Sequence, residues 1–262
     1  MKKANQKEGL LKLIISDLHK YFGNKKVLDG VNLDVYNNES LVIFGGSGSG
    51  KSVLIKAIVG LVSADSGKVE FDGSDITHLS RHSRDHLMSR FGFLFQGGAL
   101  FDSLTVWENI AFYLLHNRYI SRRAARELSE RKLNEVGLAP DVMDLYPSEL
   151  SGGMQKRVAL ARAIANDPEV IFFDEPTTGL DPIMANVINN LIQKVRTDLK
   201  ATTITITHDI ESAKQIGTRA AMLYKGQIIW NGKITEIYNS ENPIFDQFIN
   251  GKIKGPISVG DK

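Results

Sequence analysis

At 262 residues the chain is long enough for one α/β domain, or two tightly joined subdomains, around a full core. Lys and Arg number 32 against 30 Asp and Glu, a net charge of +2 that gives no reason to expect nucleic acid. With no cysteine it has no disulfide, thiolate metal site or thiol nucleophile, which fits a cytosolic setting. The first nine residues are polar and charged and do not read as a signal peptide. No apolar run approaches roughly 18 residues, so the chain is expected not to span a bilayer, and any channel it serves must come from another chain.

Leu13–Ile15 and Val31–Val35 read as strands, the second alternating at period two. A third apolar strand, Leu41–Phe44, runs into Gly45, Gly46, Ser47, Gly48, Ser49, Gly50, Lys51 and Ser52, and a helix follows over Val53–Ile58. This stretch fits the phosphate-cradling pattern G-x-x-x-x-G-K-[ST] at every fixed position, in the strand–loop–helix setting that the pattern requires. The glycines let backbone N–H groups turn inward onto phosphate oxygens, and a helix N-terminus adds partial positive charge there. Lys51 reaches the outer phosphates and the Ser52 hydroxyl is placed to ligate Mg²⁺.

Further on, Phe91–Phe95 is an apolar run closed by Gln96. The stretch 97–165 interrupts the alternation of strand and helix and is helix-rich. Its helices are predicted over Val106–Leu115 and Ser121–Val136, the latter with a solvated face of Arg122, Arg123, Arg126, Glu127, Glu130 and Arg131. Val170–Phe173 reads as a buried parallel strand with Asp174 and Glu175 at its C-terminal end, where open α/β sheets bind ligands. Thr202–Thr207 alternates Thr with Ile and ends at His208. The stretch 240–262 holds Pro243, Gly251, Gly255, Pro256 and Gly260 and reads as an extension.

In order, the Gly45–Ser52 loop, Leu150-Ser151-Gly152-Gly153-Met154-Gln155, and Asp174-Glu175-Pro176-Thr177-Thr178-Gly179-Leu180-Asp181 resemble the ATPase subunits of ABC transporters, from about Leu11 to Tyr238. The resemblance implies a P-loop α/β fold. It has a mixed core sheet, N-terminal antiparallel strands and an inserted helical subdomain at about 97–165, with an ATPase domain over 11–239 and an extension over 240–262. It implies ATP hydrolysis with Mg²⁺ held by Ser52, Gln96 and Asp174, partly through water. Glu175 is then the general base for the attacking water, His208 the switch that donates to the γ-phosphate, and Gln96 the hinge between subdomains. Adenine stacks on an aromatic in the first hairpin, preferably Phe22, with Tyr21 the alternative. Ser151, Gly152, Gly153 and Asp181 complete the nucleotide site of a second copy in a head-to-tail dimer. Met154 departs from the family pattern, which has Gln there, in a neighbour of the phosphate contacts.

The Gly97-Gly98-Ala99-Leu100-Phe101-Asp102-Ser103 form, Lys51-Ser52-Val53-Leu54, Gly153-Met154-Gln155-Lys156-Arg157 and the Gln247–Gly251 tail are similar to the ATPases of Mla/MCE lipid transporters. That resemblance implies a place at the cytoplasmic face of the inner membrane, a multispanning permease docked on Gly97–Tyr113, a periplasmic MCE lipid-binding protein, a small STAS-domain protein and phospholipid cargo. Another ABC transporter with different cargo, or a soluble ABC ATPase, is the alternative. In the extension, Ile244, Phe245, Phe248 and Ile249 have helical spacing on one apolar face, with Ile253 beyond. That face is expected to pack on the partner ATPase in preference to its own subunit.

Overall fold

A computed structural model describes residues 10–257; the polar N-terminus and the last residues of the extension, Gly260 included, lie outside them. In chain order the elements are β1 (Leu11–Phe22), β2 (Lys25–Tyr36), β3 (Ser40–Phe44), α1 (Lys51–Ile58), β4 (Ser66–Phe71), β5 (Ser74–Asp75), α2 (Arg81–Met88) and β6 (Phe91–Leu94). There follow α3 (Val106–Ile110), α4 (Phe112–His116), α5 (Arg122–Glu135), α6 (Gly152–Ala163), β7 (Val170–Asp174), α7 (Pro182–Leu199) and β8 (Thr202–Ile206). The chain closes with α8 (Ile210–Ile216), β9 (Arg219–Tyr224), β10 (Gln227–Lys233) and α9 (Pro243–Ile249).

Two sheets result. An antiparallel one runs in the order β2-β1-β4-β5, and a mixed one in the order β10-β9-β3-β8-β7-β6. In the second sheet β9, β3, β8, β7 and β6 are parallel, and β10 turns back along β9. Strands β3 and β7 are buried on both faces, which is why they read as continuous apolar runs. Their alternate residues serve different cores. Leu41, Ile43, Val170 and Phe172 pack with the antiparallel sheet and α1, whereas Val42, Phe44, Ile171 and Phe173 pack with the helices of the opposite layer. On β8 the isoleucines join the first core, and Thr203 satisfies its hydroxyl by donating to Ser40 Oγ at 2.8 Å.

An ion cluster ties the sheets together. Glu169, just before β7, accepts from Arg90 Nε at 2.5 Å and from Lys12 Nζ at 2.5 Å. The Arg90 guanidinium, with Lys12 assisting, holds the Glu169 carboxyl down at about 2. Because the folded pKa is depressed, this contribution is present above pH ~4.5 and fades as pH falls towards ~2.

The predicted helix over Val106–Leu115 is divided at Ala111 into α3 and α4, and α3 starts in a capping box between Thr105 and Glu108. The charged face of α5 is exposed as its composition implies, while Ala125, Ser129 and Leu133 face inward. Arg122 and Arg126 lie over the Trp107 ring at 5.0 and 5.2 Å.

The tail corrects an expectation. Its helix forms, and the apolar face expected to meet a partner is instead packed on its own subunit. Phe245 is fully buried, stacked on Trp230 at 4.3 Å and tilted against Phe44 at 5.9 Å; Phe248 lies 6.2 Å from Phe44. Asn242 caps the helix and anchors it to β10 through Nδ2 to the Ile229 carbonyl at 2.9 Å. Ile253 takes no part and is exposed. The spacing of apolar residues specified a face, and the aromatic wall of β3 and β10 is the surface within reach. Truncation after Ser240 is expected to destabilise the isolated chain. Burying one Phe contributes about 1.5–3 kcal/mol, so the melting temperature falls by at least ~3 °C. Unchanged melting of the truncated chain would show that this packing adds no stability.

Candidate nucleotide site

Four segments leave the C-terminal ends of adjacent parallel strands: Gly45–Ser52 after β3, His208 after β8, Asp174-Glu175 at the end of β7, and Gln96 after β6. Strand adjacency therefore gathers residues up to 163 positions apart at one sheet edge. Gly45, Ser47, Gly48, Lys51, Ser52, Gln96, Asp174, Glu175 and His208 line one cavity of about 420 Å³.

The loop's shape depends on glycine at Gly50, which caps α1 at φ +102°. A Cβ there would stand 2.8 Å from the Val27 carbonyl oxygen, so the loop closes onto β2 only without a side chain. Lys51 folds over the loop, donating to the Gly45 carbonyl at 2.7 Å and the Gly46 carbonyl at 3.0 Å. Burial lowers the pKa of its ammonium from the ordinary lysine value, and the charges of Glu175 and Asp174 oppose this. Burial raises the Asp174 carboxyl, against the hydrogen bond it receives from Ser52.

Glu175 has a left-handed backbone, φ +50°, and its N–H donates to the Ile206 carbonyl of β8 at 2.9 Å. Its carboxylate is only 12% exposed. It accepts from Thr178 Oγ1 at 3.0 Å and lies 2.9–3.0 Å from His208 Nδ1. His208 in turn is held by the capped turn that follows: Asp209 accepts from the N–H groups of Glu211 and Ser212 at the start of α8. One side of the cavity thus offers N–H donors and a cation, and the other two carboxylates and an imidazole. That suits a polyphosphate and an attacking water.

A hard cation fits the oxygen donors of Ser52, Asp174 and Gln96. Among the described residues no cluster of three His, Cys, Asp or Glu side chains exists to hold a metal. The few oxygen donors of Ser52, Asp174 and Gln96 match the sparse protein coordination of Mg²⁺, which is completed by phosphates and water.

Other expected site residues lie beside this cavity. Phe22, half exposed, lines an adjoining cavity with Lys25, Val27 and Gly48–Val53, which includes Gly50. Tyr21 turns the other way, its hydroxyl 3.3 Å from His19 Nδ1. Gly46 and Ser49 line a third cavity with Lys25, Lys26 and Lys225. Ser151, Gly152, Gly153 and Asp181 line none of these cavities. Ser151 caps α6, Asp181 caps α7, and both are exposed. Gly153 is buried, with the Met184 methyl 2.5 Å from where a Cβ would stand.

Two contacts to Glu175 escaped the reading of the sequence. Thr178 stood there only as part of a motif. Lys156, whose Nζ lies 3.5 Å from the Glu175 carbonyl, looks in sequence like any charge on a helix. It stood there only within the Gly153–Arg157 pattern, and its burial arises where α6 packs against β6, which no local spacing reports.

Among the described residues no helix is long and apolar enough to cross a membrane. A profile of the ABC transporter family matches residues 28–178. The chain is 35% identical over 248 residues to the probable ribonucleotide transport ATP-binding protein mkl of Mycobacterium leprae, covering 95% of this chain and 71% of that protein. It is 38% identical over 235 residues to the intermembrane phospholipid transport system ATP-binding protein MlaF of Haemophilus influenzae, covering 90% and 89%. Its structure resembles a dimeric post-hydrolysis state of the ATP-binding cassette MJ0796 bound to ADP and Pi. The TM-score is 0.78 at 30% identity, over 85% of this chain and 98% of that one. With a phosphate loop, an acidic strand end and a histidine meeting at one sheet edge, and with relatives matched over most of their length, the chain belongs to the ABC transporter family as an ATP-binding cassette, an ATPase that couples hydrolysis to transport.

Proposed function

We propose that this chain energises the movement of a lipid, in particular phospholipid, between membranes, from the cytoplasmic face of the inner membrane. The observation that carries the reading is the 38% identity to MlaF over 89% of that protein's length. In this reading two copies form a head-to-tail dimer around two ATP molecules. Ser151, Gly152, Gly153 and Asp181, which stand outside their own cavity, serve the nucleotide of the other copy. The resemblance to a dimeric cassette supports that arrangement.

Within each site the Gly45–Ser52 loop and the N-terminus of α1 receive the phosphates, Lys51 swings from the loop carbonyls to the outer phosphates, and Phe22 stacks on adenine. Ser52, Asp174 and Gln96 hold Mg²⁺, which supplies electrostatic stabilisation of phosphate charge when bound. Glu175 orients the attacking water and takes its proton, and His208 holds the γ-phosphate. The segment 97–165 acts as the lever on the permease. Its docking surface would centre on Phe101, which is 43% exposed and packed on Phe112 at 4.4 Å. Buried Asn109 holds that loop through the Phe101, Leu104 and Thr105 carbonyls, so motion at Gln96 is passed on rigidly. A permease, a periplasmic MCE protein and a STAS-domain protein complete the assembly.

The name of the M. leprae relative favours a second reading, ribonucleotide cargo. Purification of the chain from native membranes with its bound partners separates the two. Phospholipid and an MCE-type protein recovered together, with ATPase activity stimulated by phospholipid, are the expected result. Stimulation by ribonucleosides or ribonucleotides with no MCE-type protein would overturn lipid as cargo while leaving the ATPase assignment intact.

A further inference from the structure

We propose that Lys156 is a positioning residue for hydrolysis, tying helix α6 to the main chain of Glu175 and so holding the Glu175 carboxylate in the cavity. Lys156 is only 5% exposed, and its Nζ donates to the Glu175 carbonyl at 3.5 Å. Among the described residues that carbonyl is its one hydrogen-bond partner, and it makes no ion pair. Burying an ammonium for a single backbone acceptor is costly, and an apolar side chain at this position would pack without that cost.

What the contact accomplishes follows from the backbone it touches. Glu175 holds φ +50°, a conformation that a non-glycine residue keeps only when its surroundings enforce it. The enforcement comes from both sides. The Glu175 N–H is bound by β8 at the Ile206 carbonyl, 2.9 Å away, and its C=O accepts from the Thr178 N–H at 3.3 Å within the turn and from Lys156, the tie that comes from another element, at 3.5 Å. With the peptide groups held, Thr178 and His208 need only set the carboxylate's orientation. Burial lowers the pKa of the Lys156 ammonium from the ordinary lysine value, and the charges of Asp174 and Glu175 oppose this in part.

The same helix is capped by Ser151. Lys156 lies five positions along the helix from its N-cap Ser151, about 7.5 Å of rigid rod. The front of that rod is fixed by Gln155 Nε2 on the Pro147 carbonyl at 2.8 Å, and Gly153 is pressed against Met184 of α7. A push on Ser151 is therefore delivered to the main chain of Glu175. This last consequence rests on the reading of Ser151–Gly153 as the surface that meets the partner's nucleotide; the tie to Glu175 does not.

The test is steady-state and single-turnover hydrolysis by the full chain in its transporter complex, with thermal melting as the folding control. Lys156→Met is expected to lower kcat by about 10- to 100-fold, the size of a small misplacement of a reacting group, with KM for ATP changed less than about threefold. Lys156→Gln keeps an N–H donor without the charge and is expected to recover kcat to within about threefold of the parent. In a Glu175→Gln background, where the carboxylate is already gone, Lys156→Met is expected to add less than about twofold. Undiminished kcat in Lys156→Met, a rise in KM at constant kcat, or additive loss in the Glu175→Gln background would overturn the proposal. If Lys156→Met melts before assay temperature, all variants are compared below the lowest melting point: a kcat lowered in Lys156→Met and recovered in Lys156→Gln supports the tie, and equal kcat in Lys156→Met and the parent refutes it. These rates do not depend on cargo, so failure here is distinct from failure of the lipid reading, which shows in the co-purified lipid and proteins.

Discussion

Glu175→Gln is expected to bind ATP, to hydrolyse it about 10²–10⁴-fold more slowly, and to accumulate as an ATP-held dimer. The substitution keeps shape and size. The amide can still accept from Thr178 Oγ1 and meet His208 Nδ1, the two groups now at 3.0 Å and 2.9–3.0 Å from the carboxylate. What it loses is the ability to take a proton from water. The phosphate loop is untouched, so affinity for ATP should stay near that of the parent, and slow turnover preserves the nucleotide between the subunits. Phosphate release measured beside size-exclusion chromatography with ATP checks both halves. Turnover within a few-fold of the parent would remove Glu175 from the role of base.

Lys51→Ala should act on binding instead. Lys51 supplies the ammonium nearest the loop, held by the Gly45 and Gly46 carbonyls. A charge-assisted bond of this kind contributes roughly 1.5–3 kcal/mol, so the Kd for ATP is expected to rise by about 10- to 100-fold. The change is larger if the two carbonyls, left without their donor, turn into the phosphate space. Titration with a fluorescent ATP analogue measures it, and thermal melting shows whether the loop alone is affected. A Kd within about twofold of the parent would mean that phosphate binds elsewhere.

The two substitutions thus separate binding from chemistry, and the separation has a structural origin. Lys51 and Ser52 lie in a contiguous loop that comes after one strand. Glu175 and His208 belong to other strand ends and reach the cavity only through the order β3-β8-β7. Damage to the loop is therefore expected to weaken binding, whereas damage at a strand end is expected to leave the ligand bound and the water unactivated.

How much of this was legible in the sequence depends on the range of the interactions concerned. The loop at Gly45–Ser52 needs a strand before it, a helix after it and glycine where the backbone turns left-handed, and all three are local. The apolar strands β3 and β7, the exposed face of α5 and the helical spacing of Ile244, Phe245, Phe248 and Ile249 are likewise periodicities along a few turns of chain. Side-chain chemistry and backbone propensity act over such distances, so the sequence by itself determined those elements and the kinds of chemistry available to them. It did not determine what each apolar face would meet. Only the tertiary structure set β8 between β3 and β7, which brings His208 to Glu175, and turned Tyr21 towards His19 while Phe22 lines the cavity beside the loop. Only the tertiary structure divided the helix at Ala111, laid α9 on Phe44 and Trp230 of its own subunit, and buried Lys156 beneath Glu175. Each of these depends on which distant surface is near enough to exclude water and satisfy polar groups, a choice made by the whole packed molecule and not by any stretch of neighbours.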